Sequence, residues 1–568
     1  MSLLDKMSFL VEYTEPQWRD LDMRALLVDQ AFIYLESQYP ETTYLYYVTD
    51  HCYTCPFSLI KPLPAGNISA EPVDTVYATS WKIYSQDQGP YGFDNVSAMC
   101  TVSRARLEEF SVHNLTLFAN GSCNFVMDKP GVNVNYAFLS VFLITAAFLL
   151  LLKLFCYGLR RYRYAKTIVL ADNANDEADE STQRRKARLR SLDTFRGLTI
   201  VLMIFVNNGG GEYKWIAHAY WNGINLADIV FPNYMWMMGV CIPFSIKAQL
   251  SRGISKSALC WRIFCRACKL FALGIFWNSM FSLQLETMRQ MGVLQRLGIS
   301  YFVVALLQTL CTRRKLLDGR DLLPFCVQLI VLLALVATYL GVTFGLPVPN
   351  CPLGYLGPGG TSQNLAHQPC TGGGAFLVDR LLGTMNLSEP YGATGLYNTY
   401  LYDPEGPFGS VMAVAHVILG SFVGISIQLL PTWQSRLKRW LLGALLLGLL
   451  GGGLCGFSKE EGLIPLNKTL WSLSFVCVMV AMSLVLYSLI YYVVDVQQLW
   501  SGYPFTECGM NGIILFLGHL FILNVLPWHW AIGAMNTHFL LLCENVWSTL
   551  IWVAIALYLH NRKFYYHL

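Results

Sequence analysis

From position 136 onward the chain is dominated by long apolar runs separated by short polar segments. The first run, Tyr136 to Leu152, ends at Lys153. Others begin near Leu192, Ile224, Leu259, Gly292, Leu322, Ser410, Trp440, Trp471, Gly509 and Val546. About 20 apolar residues span a hydrocarbon core of ~30 Å. Lipid leaves no partner for an unpaired backbone group, so such runs must be helices. The pattern therefore predicts a polytopic α-helical membrane protein with about 11 transmembrane helices. Before position 134 the pattern changes. Segments such as Thr43–Val48 and Val76–Ile83 are β-branched or aromatic, often alternating, and are bounded by Pro and Gly clusters. They predict a small β-rich domain, compatible with a sandwich.

The expected organisation is a β-rich domain over 1–133, a first transmembrane helix over 134–156, a linker over 157–190, and a ten-helix domain over 191–568 with a long loop at 345–409. The linker contains ADNANDEADESTQRRKAR, too charged and too poor in apolar residues to fold alone, so it is expected to be disordered. It makes the first helix an anchor and the remaining ten the functional body.

Composition agrees. The 568 residues are 54% hydrophobic and 13% charged, with mean hydropathy +0.41. The net charge of +4 is too small and too dispersed for nucleic-acid binding. Its distribution sets the orientation. Basic residues gather after the first helix (Arg160, Arg161, Arg163, Lys166, Arg184, Arg185, Lys186), after the third (Lys247, Arg252, Lys256), after the fifth (Arg313, Arg314, Lys315) and after the seventh (Arg436, Lys438, Arg439). The loop 345–409 carries only Arg380. The positive-inside rule then places the N-terminus in the lumen and the C-terminus in the cytoplasm. The loop 493–508, without Lys or Arg, is the one exception.

Six glycosylation sequons, at Asn67, Asn95, Asn114, Asn120, Asn386 and Asn467, all fall on the predicted lumenal side. Cys52, Cys55, Cys100 and Cys123 form an even set in the lumenal domain, open to three pairings. The Cys52–Cys55 spacing also occurs in redox and metal motifs, but structural disulfides are the expectation in an oxidising compartment. Cys351 and Cys370 stand as a pair in their loop. The opening MSLLDKMSFLVEY has no clear signal-peptide core, although a translocated domain normally needs one. The expectation is that the start is incomplete or the leader has been removed.

Nucleotide-binding and hydrolase signatures such as GxxxxGK[ST], HExxH and GxSxG are missing from the sequence. The informative stretch is SLDTFRGLTIVLMIFVNNGGGEYKWIAHAYWNGINLADIVFP, Ser191 to Pro232. Asp193 and Arg196 stand i to i+3 at the cytoplasmic end of its helix, either as a local ion pair or as part of a site. Asn207, His218 and Asp228 come next, at the lumenal end. Ionisable groups at membrane depth are costly, which makes them functional candidates, and these three are expected to converge.

SLDTFRGLTIVLM, the segment running NGGG, His218, WNG and ADIVFP, GVLQRLGISYF, PVPNCPLGYLGPGG, YDPEG, EGLIPLNKTLWSLSFV and GMNGIILFLGH together resemble the heparan-α-glucosaminide N-acetyltransferase family. The resemblance is close over 191–568 and loose over the N-terminal domain. It implies a lysosomal, multi-pass enzyme. Such an enzyme takes acetyl from cytosolic acetyl-CoA and places it on the terminal non-reducing glucosamine of heparan sulfate in the lumen. By resemblance, His218 is the acetyl acceptor or the general base, and Asn207 is a polar partner able to polarise the thioester. Asp228 is inferred from its position to hold the imidazole tautomer.

For the donor phosphates the candidates are Arg196, Arg262, Arg266 and Arg296, with Asp193 beside the first. Arginine forks suit phosphate, and Arg296 in an apolar helix is hard to explain as an anchor. For the glycan they are Arg289, Lys214, Glu460 and Glu461. His519 reads as a satisfied core histidine. No metal is expected, and a homodimer through the lumenal domain is compatible with the sequence. Two alternatives are a related membrane acyltransferase acting on another glycan and a polytopic transporter, although no inverted repeat is evident between 191–350 and 410–568. Protease added to sealed, right-side-out lysosomal vesicles is expected to spare the N-terminal domain. Its digestion from the cytosolic side would overturn this orientation.

Overall fold

The computed structural model describes residues 17–566 except 67, 90–96, 171–188, 281–283, 285–287, 314–320, 350, 363–369, 383–391, 400–402 and 523. Three predicted sequons, Asn67, Asn95 and Asn386, lie outside the described residues, as does most of the predicted linker.

A short hairpin of β1 (Gln17–Trp18) and β2 (Leu21–Asp22) opens the described chain. Eight more strands are β3 (Gln30–Ser37), β4 (Thr43–Thr49), β5 (Ser58–Leu63), β6 (Ile68–Asp74), β7 (Thr79–Tyr84), β8 (Cys100–Ala105), β9 (Val112–Leu117) and β10 (Cys123–Lys129). They form two four-stranded sheets, ordered β10-β9-β3-β6 and β5-β4-β7-β8, antiparallel except for the parallel pair β3–β9. Alternation dictates the packing, because successive side chains leave a strand on opposite faces. Ile33 and Leu35 of β3 and Leu115 and Leu117 of β9 meet Leu45, Trp81 and Ile83 of the other sheet in one buried core. The β-rich prediction is realised as a sandwich. Cys100–Cys123 joins β8 to β10 across the two sheets, and Cys52–Cys55 closes the turn after β4.

The helices are α1 (Asn135–Leu170), α2 (Arg190–Asn207), α3 (Leu226–Ser251), α4 (Lys256–Ser279), α5 (Val293–Cys311), α6 (Leu323–Gly345), α7 (Gly374–Leu381), α8 (Gly409–Leu429), α9 (Trp433–Leu454), α10 (Leu473–Tyr491), α11 (Phe505–Met510), α12 (Gly512–Phe521) and α13 (His538–Asn561). A helix stands at each of the eleven predicted positions. Among the described residues, however, only eight are long and apolar enough to cross a membrane. The helices α2, α4 and α12 fall short, so a count of about 11 spans does not follow from length and composition. α1 continues to Leu170, past the predicted linker boundary at 157.

Two glycines in the most distinctive motifs explain how α2 sits. A Cβ on Gly197 would lie 1.7 Å from the Phe505 carbonyl oxygen, and one on Gly509 would lie 1.9 Å from that of Asp193. α2 and α11 thus touch backbone to backbone, which small residues permit. Buried polar pairs hold other helices in register. Gln328 Nε2 donates to Gln308 Oε1 at 2.7 Å, and Ser483 Oγ donates to Asn233 Oδ1 at 2.5 Å.

Polar contacts tie the sandwich to one end of the bundle. Ser362 Oγ donates to the Tyr53 carbonyl at 3.1 Å, beside the Cys52–Cys55 turn. At the head of α13, His538 Nε2 lies 3.1 Å from Asp29 Oδ1 and 3.8 Å from Glu109 Oε1, while Asn536 Nδ2 donates to the Leu26 carbonyl at 3.3 Å. Burial raises the Glu109 pKa to about 7 despite the opposing pull of His538 and of the Asp29 N–H. A carboxyl whose folded pKa exceeds its unfolded value binds its proton more tightly when folded. Its stabilising contribution is therefore full in acid, below its ordinary pKa of 4.5, and is lost as pH rises through about 7. The melting temperature of purified protein is expected to fall between pH 5 and pH 7.5, and Glu109→Gln to flatten that fall by about 3 °C or more. An unchanged pH dependence in Glu109→Gln would remove Glu109 from this contact.

Candidate functional site

The site is built on the turn between α2 and α3. After Asn207 the chain reverses through Gly209, Gly210 and Gly211, at φ of 111°, 58° and 74°. Three consecutive residues in the left-handed region are open to glycine at little cost. A Cβ on Gly210 would also strike Ile216 at 2.4 Å. The turn lays 213–225 flat across the end of the bundle. There Trp221 Nε1 donates to the Leu356 carbonyl at 3.0 Å, and Gly223 N donates to the Leu466 carbonyl at 2.8 Å.

Asp228, 1% exposed in the first turn of α3, organises the polar groups around it. Its Oδ2 accepts the N–H groups of Asn225 and Ala219, both at 3.0 Å, one of them as the reciprocal half of a capping box. Its Oδ1 faces His218 Nδ1 at 2.8 Å and Lys468 Nζ at 3.3 Å. Lys468 Nζ is also 2.9 Å from His218 Nδ1. A carboxylate can only accept, so the Asp228 contact calls for a proton on Nδ1 and leaves the Nε2 lone pair free as a base. The Lys468 contact calls for the opposite tautomer, with Nε2–H as a donor. The ring cannot satisfy both, and the shorter contact, to Asp228, is the one that leaves Nε2 as a base. The His218 side chain is 47% exposed and lines a small pocket with Lys214, Asn222, Tyr397, Lys459 and Glu460.

Asn207 does not join this group. Its Nδ2 lies 3.0 Å from His519 Nε2, while His519 Nδ1 donates to the Leu515 carbonyl at 3.0 Å. The expected convergence thus holds for His218 and Asp228 but not for Asn207, because the glycine turn carries the chain away from the end of α2. His519 is the buried, fully bonded histidine expected.

Arg289 and Arg296 also depart from expectation. Arg289 Nε lies 2.6 Å from Asp403 and its Nη2 2.7 Å from Glu405, so its fork is committed to the YDPEG loop rather than offered to a sulfate. Arg296, 3% exposed near the start of α5, donates to the Gly406 carbonyl at 3.3 Å and lies over the Trp471 ring at 5.6 Å. It belongs to the sandwich end of the bundle, not with Arg196 and Arg266 as expected of a donor-phosphate residue. Burial would raise the Glu405 pKa, but Arg289, Arg296, Lys468 and His218 outweigh it and hold it at about 2. That places Glu405 within electrostatic reach of the His218 group. Glu460 accepts from Asn222 Nδ2 at 2.8 Å, whereas Glu461 is exposed and outside the pocket wall.

At the other end of the bundle, a cavity of about 280 Å³ is lined by Arg196, Tyr234, Cys241, Arg266, Tyr301 and Tyr566. Arg196 Nη1 lies 3.8 Å from Asp193 and its Nη2 3.3 Å from Cys241 Sγ, so the local ion pair and a place in a cavity wall coexist. Arg266 lies over Tyr301 at 4.8 Å; Arg262 is exposed and outside the wall. Gly512 lines this cavity, and His519 lies seven residues further along α12, a rise of ~10 Å. α2 and α12 therefore run together from the cavity to the Asn207–His519 contact.

No protein-family model matches the chain. Two curated relatives do, the heparan-α-glucosaminide N-acetyltransferases of Homo sapiens and Mus musculus. Each is 33% identical over 96% of this chain and 90% of its own length. The chain belongs to the heparan-α-glucosaminide N-acetyltransferase family. It is an acyltransferase built into a helical membrane bundle.

In this family member the sequence pattern exposes His218 and Asp228 but not Lys468, although Lys468 stands inside the EGLIPLNKTLWSLSFV motif. Nor does it single out Glu405 in YDPEG, or Lys459. The Cys351–Cys370 disulfide is present. Asn467 is a correction. It is 0% exposed with its amide on Asn222 Oδ1 at 3.3 Å, so no glycan fits there. Asn120 is exposed, and Asn114 is half-buried with Thr116 Oγ1 donating to it at 3.3 Å. Lys468→Met is expected to lower acetyl transfer roughly ten- to a hundredfold, the worth of a charge-assisted contact, and Lys468→Arg to recover part of it. Full activity in Lys468→Met would exclude Lys468 from the working group.

Proposed function

We propose that this chain is a lysosomal enzyme that moves acetyl from cytosolic acetyl-CoA to the terminal non-reducing glucosamine amine of lumenal heparan sulfate during its degradation. The observation that carries the reading is the His218–Asp228–Lys468 group at the sandwich end of a membrane bundle whose other end holds an arginine-lined cavity. With the sandwich lumenal, as the distribution of Lys and Arg and the exposed sequon at Asn120 favour, the two ends face the two substrates.

Acetyl-CoA is polyanionic and does not cross lipid. Its phosphates belong near Arg262 and Arg266, with Arg196 deeper in the wall, and arginine forks suit them. A cavity of about 280 Å³ is too small for the whole donor and takes its acetyl-bearing arm. The thioester then has to reach the lumenal end past Asn207, whose amide can polarise a carbonyl.

The amine is the nucleophile. Its nitrogen forms the new C–N bond at the acetyl carbon, the C–S bond breaks, and CoA leaves as the thiolate. His218 Nε2 accepts the amine proton while Asp228 holds the Nδ1–H. The proton then returns to the departing sulfur. Direct transfer is favoured over an acetyl-imidazole because the His218 ring is half exposed, where such an intermediate would meet water.

Purified protein incubated with acetyl-CoA and a panel of amino sugars is expected to release CoA and N-acetylate glucosamine. His218→Ala is expected to abolish transfer while acetyl-CoA binding persists, and labelled donor alone is expected to leave no acetyl on the protein. Label held on wild type and absent from His218→Ala would replace the base with a covalent carrier. Near-normal turnover in His218→Ala would sink both.

A further inference from the structure

The pocket beside His218 has a wall that the bundle does not supply. His51 and Tyr77 reach into it from the sandwich, their rings stacked at 4.1 Å and 8°. Tyr220 of the bundle meets His51 edge-on at 4.3 Å. Facing them are Lys214, from the turn before α3, and Lys459, from the turn after α9. Lys459 Nζ is 3.6 Å from Glu460. Among the described residues Lys214 has no carboxylate within ion-pair distance, and the His51 ring nitrogens have no hydrogen-bond partner. Burial, then Lys459 and Lys214, lowers the His51 pKa to about 4, so His51 is neutral and the two lysines set the sign of the pocket. The enclosed space is about 40 Å³, a few waters' worth, which suits a carboxylate or sulfate group but not a sugar ring.

We propose that the sandwich and the bundle together form an anion subsite. In it Lys214 and Lys459, closed over by His51 and Tyr77, receive the charged substituent of the sugar next to the accepting glucosamine. This rests on the acceptor reading above and adds to it the feature by which the acceptor is recognised. The amine lies at His218 on the same pocket, so the anion belongs to the adjoining residue of the glycan. A carboxylate of a uronate and a sulfate ester present the same chemistry to two ammonium groups. The aromatic wall shields Lys214 in part, which strengthens its contact relative to an open surface, while Lys459, 55% exposed, reaches in from the rim. The sandwich then acts in specificity, because a bundle without it has half a pocket.

The test compares acceptors on the full-length purified protein at saturating acetyl-CoA. The acceptors are methyl glucosaminide and three glucosamine-terminated disaccharides, whose second sugar is a neutral hexose, a uronate or a 2-O-sulfated uronate. Wild type is expected to show a KM at least fivefold lower for the anionic disaccharides than for the neutral one. A gain with the uronate alone assigns the carboxylate, and a further gain with the sulfated form adds the ester. Lys214→Met, Lys459→Met and His51→Asp are each expected to shrink that anionic-to-neutral ratio severalfold, more in KM than in kcat, and Lys459→Arg to restore it. Since each ratio is taken within one variant, partial misfolding cancels. Equal KM for anionic and neutral disaccharides in wild type, or a ratio unmoved in all three variants, overturns the subsite while leaving the acetyltransferase reading intact. Failure of wild type to acetylate any of the four acceptors overturns that reading and the subsite with it.

Discussion

A buried carboxylate at the first turn of a membrane helix governs this structure. Asp228 is almost wholly removed from water, and an unpaired charge there would be heavily penalised. The chain around it supplies the partners that water no longer can. Two backbone N–H groups hold one oxygen, and an imidazole and an ammonium face the other. Each partner imposes its own requirement. The N–H groups need 219 and 225 folded back onto α3, which needs the glycine reversal at 209–211. The ammonium needs Lys468 brought in from the segment before α10, and the buried amide of Asn467 on Asn222 anchors that approach.

The same constraint divides labour along the bundle. Arg196 and Asp193 sit at the start of α2, and Asn207 ends it 11 residues later, ~16 Å away. Charges suited to phosphate therefore lie one hydrocarbon half-thickness from Asn207, and between them run helices pressed together through Gly197 and Gly509. The close backbone contact leaves little room for either end to move independently. On the proposed reading the thioester, not the protein, covers the distance.

How much of this the sequence carried depends on whether the information is local. Helix positions, the alternating strands, the glycine turn and the pairing of His218 with Asp228 ten residues on are set by near neighbours, and periodicity or spacing exposes them. Lys468 lies 250 residues from His218, and no local pattern announces a contact over that separation. Arg289 and Arg296 escape a sequence assignment for the same reason. The partners are in this chain rather than a ligand: Asp403 and Glu405 for Arg289, the Gly406 carbonyl and the Trp471 ring for Arg296. The sequon at Asn467 shows the converse failure, a motif that is locally complete but buried by tertiary packing.

The Arg289 cluster also bears on why the YDPEG loop is acidic. A carboxylate held as low as Glu405 stays charged at any pH an acidic compartment reaches. Beside it stand two arginines and, further off, Lys468 and His218. An acceptor amine arriving as an ammonium needs a negative surface before it loses its proton, and a neutral imidazole offers none. Glu405 supplies negative charge near the base, while Lys214 and Lys459, the latter 3.6 Å from Glu460, supply positive charge at the sandwich wall of the pocket. A glycan end carrying an amine at one ring and an anion at the next is complementary to that alternation in one orientation. Reversing it would put ammonium against lysine and anion towards Glu405. Orientation is thus fixed by charge order at the pocket, before any contact with the sugar hydroxyls is made.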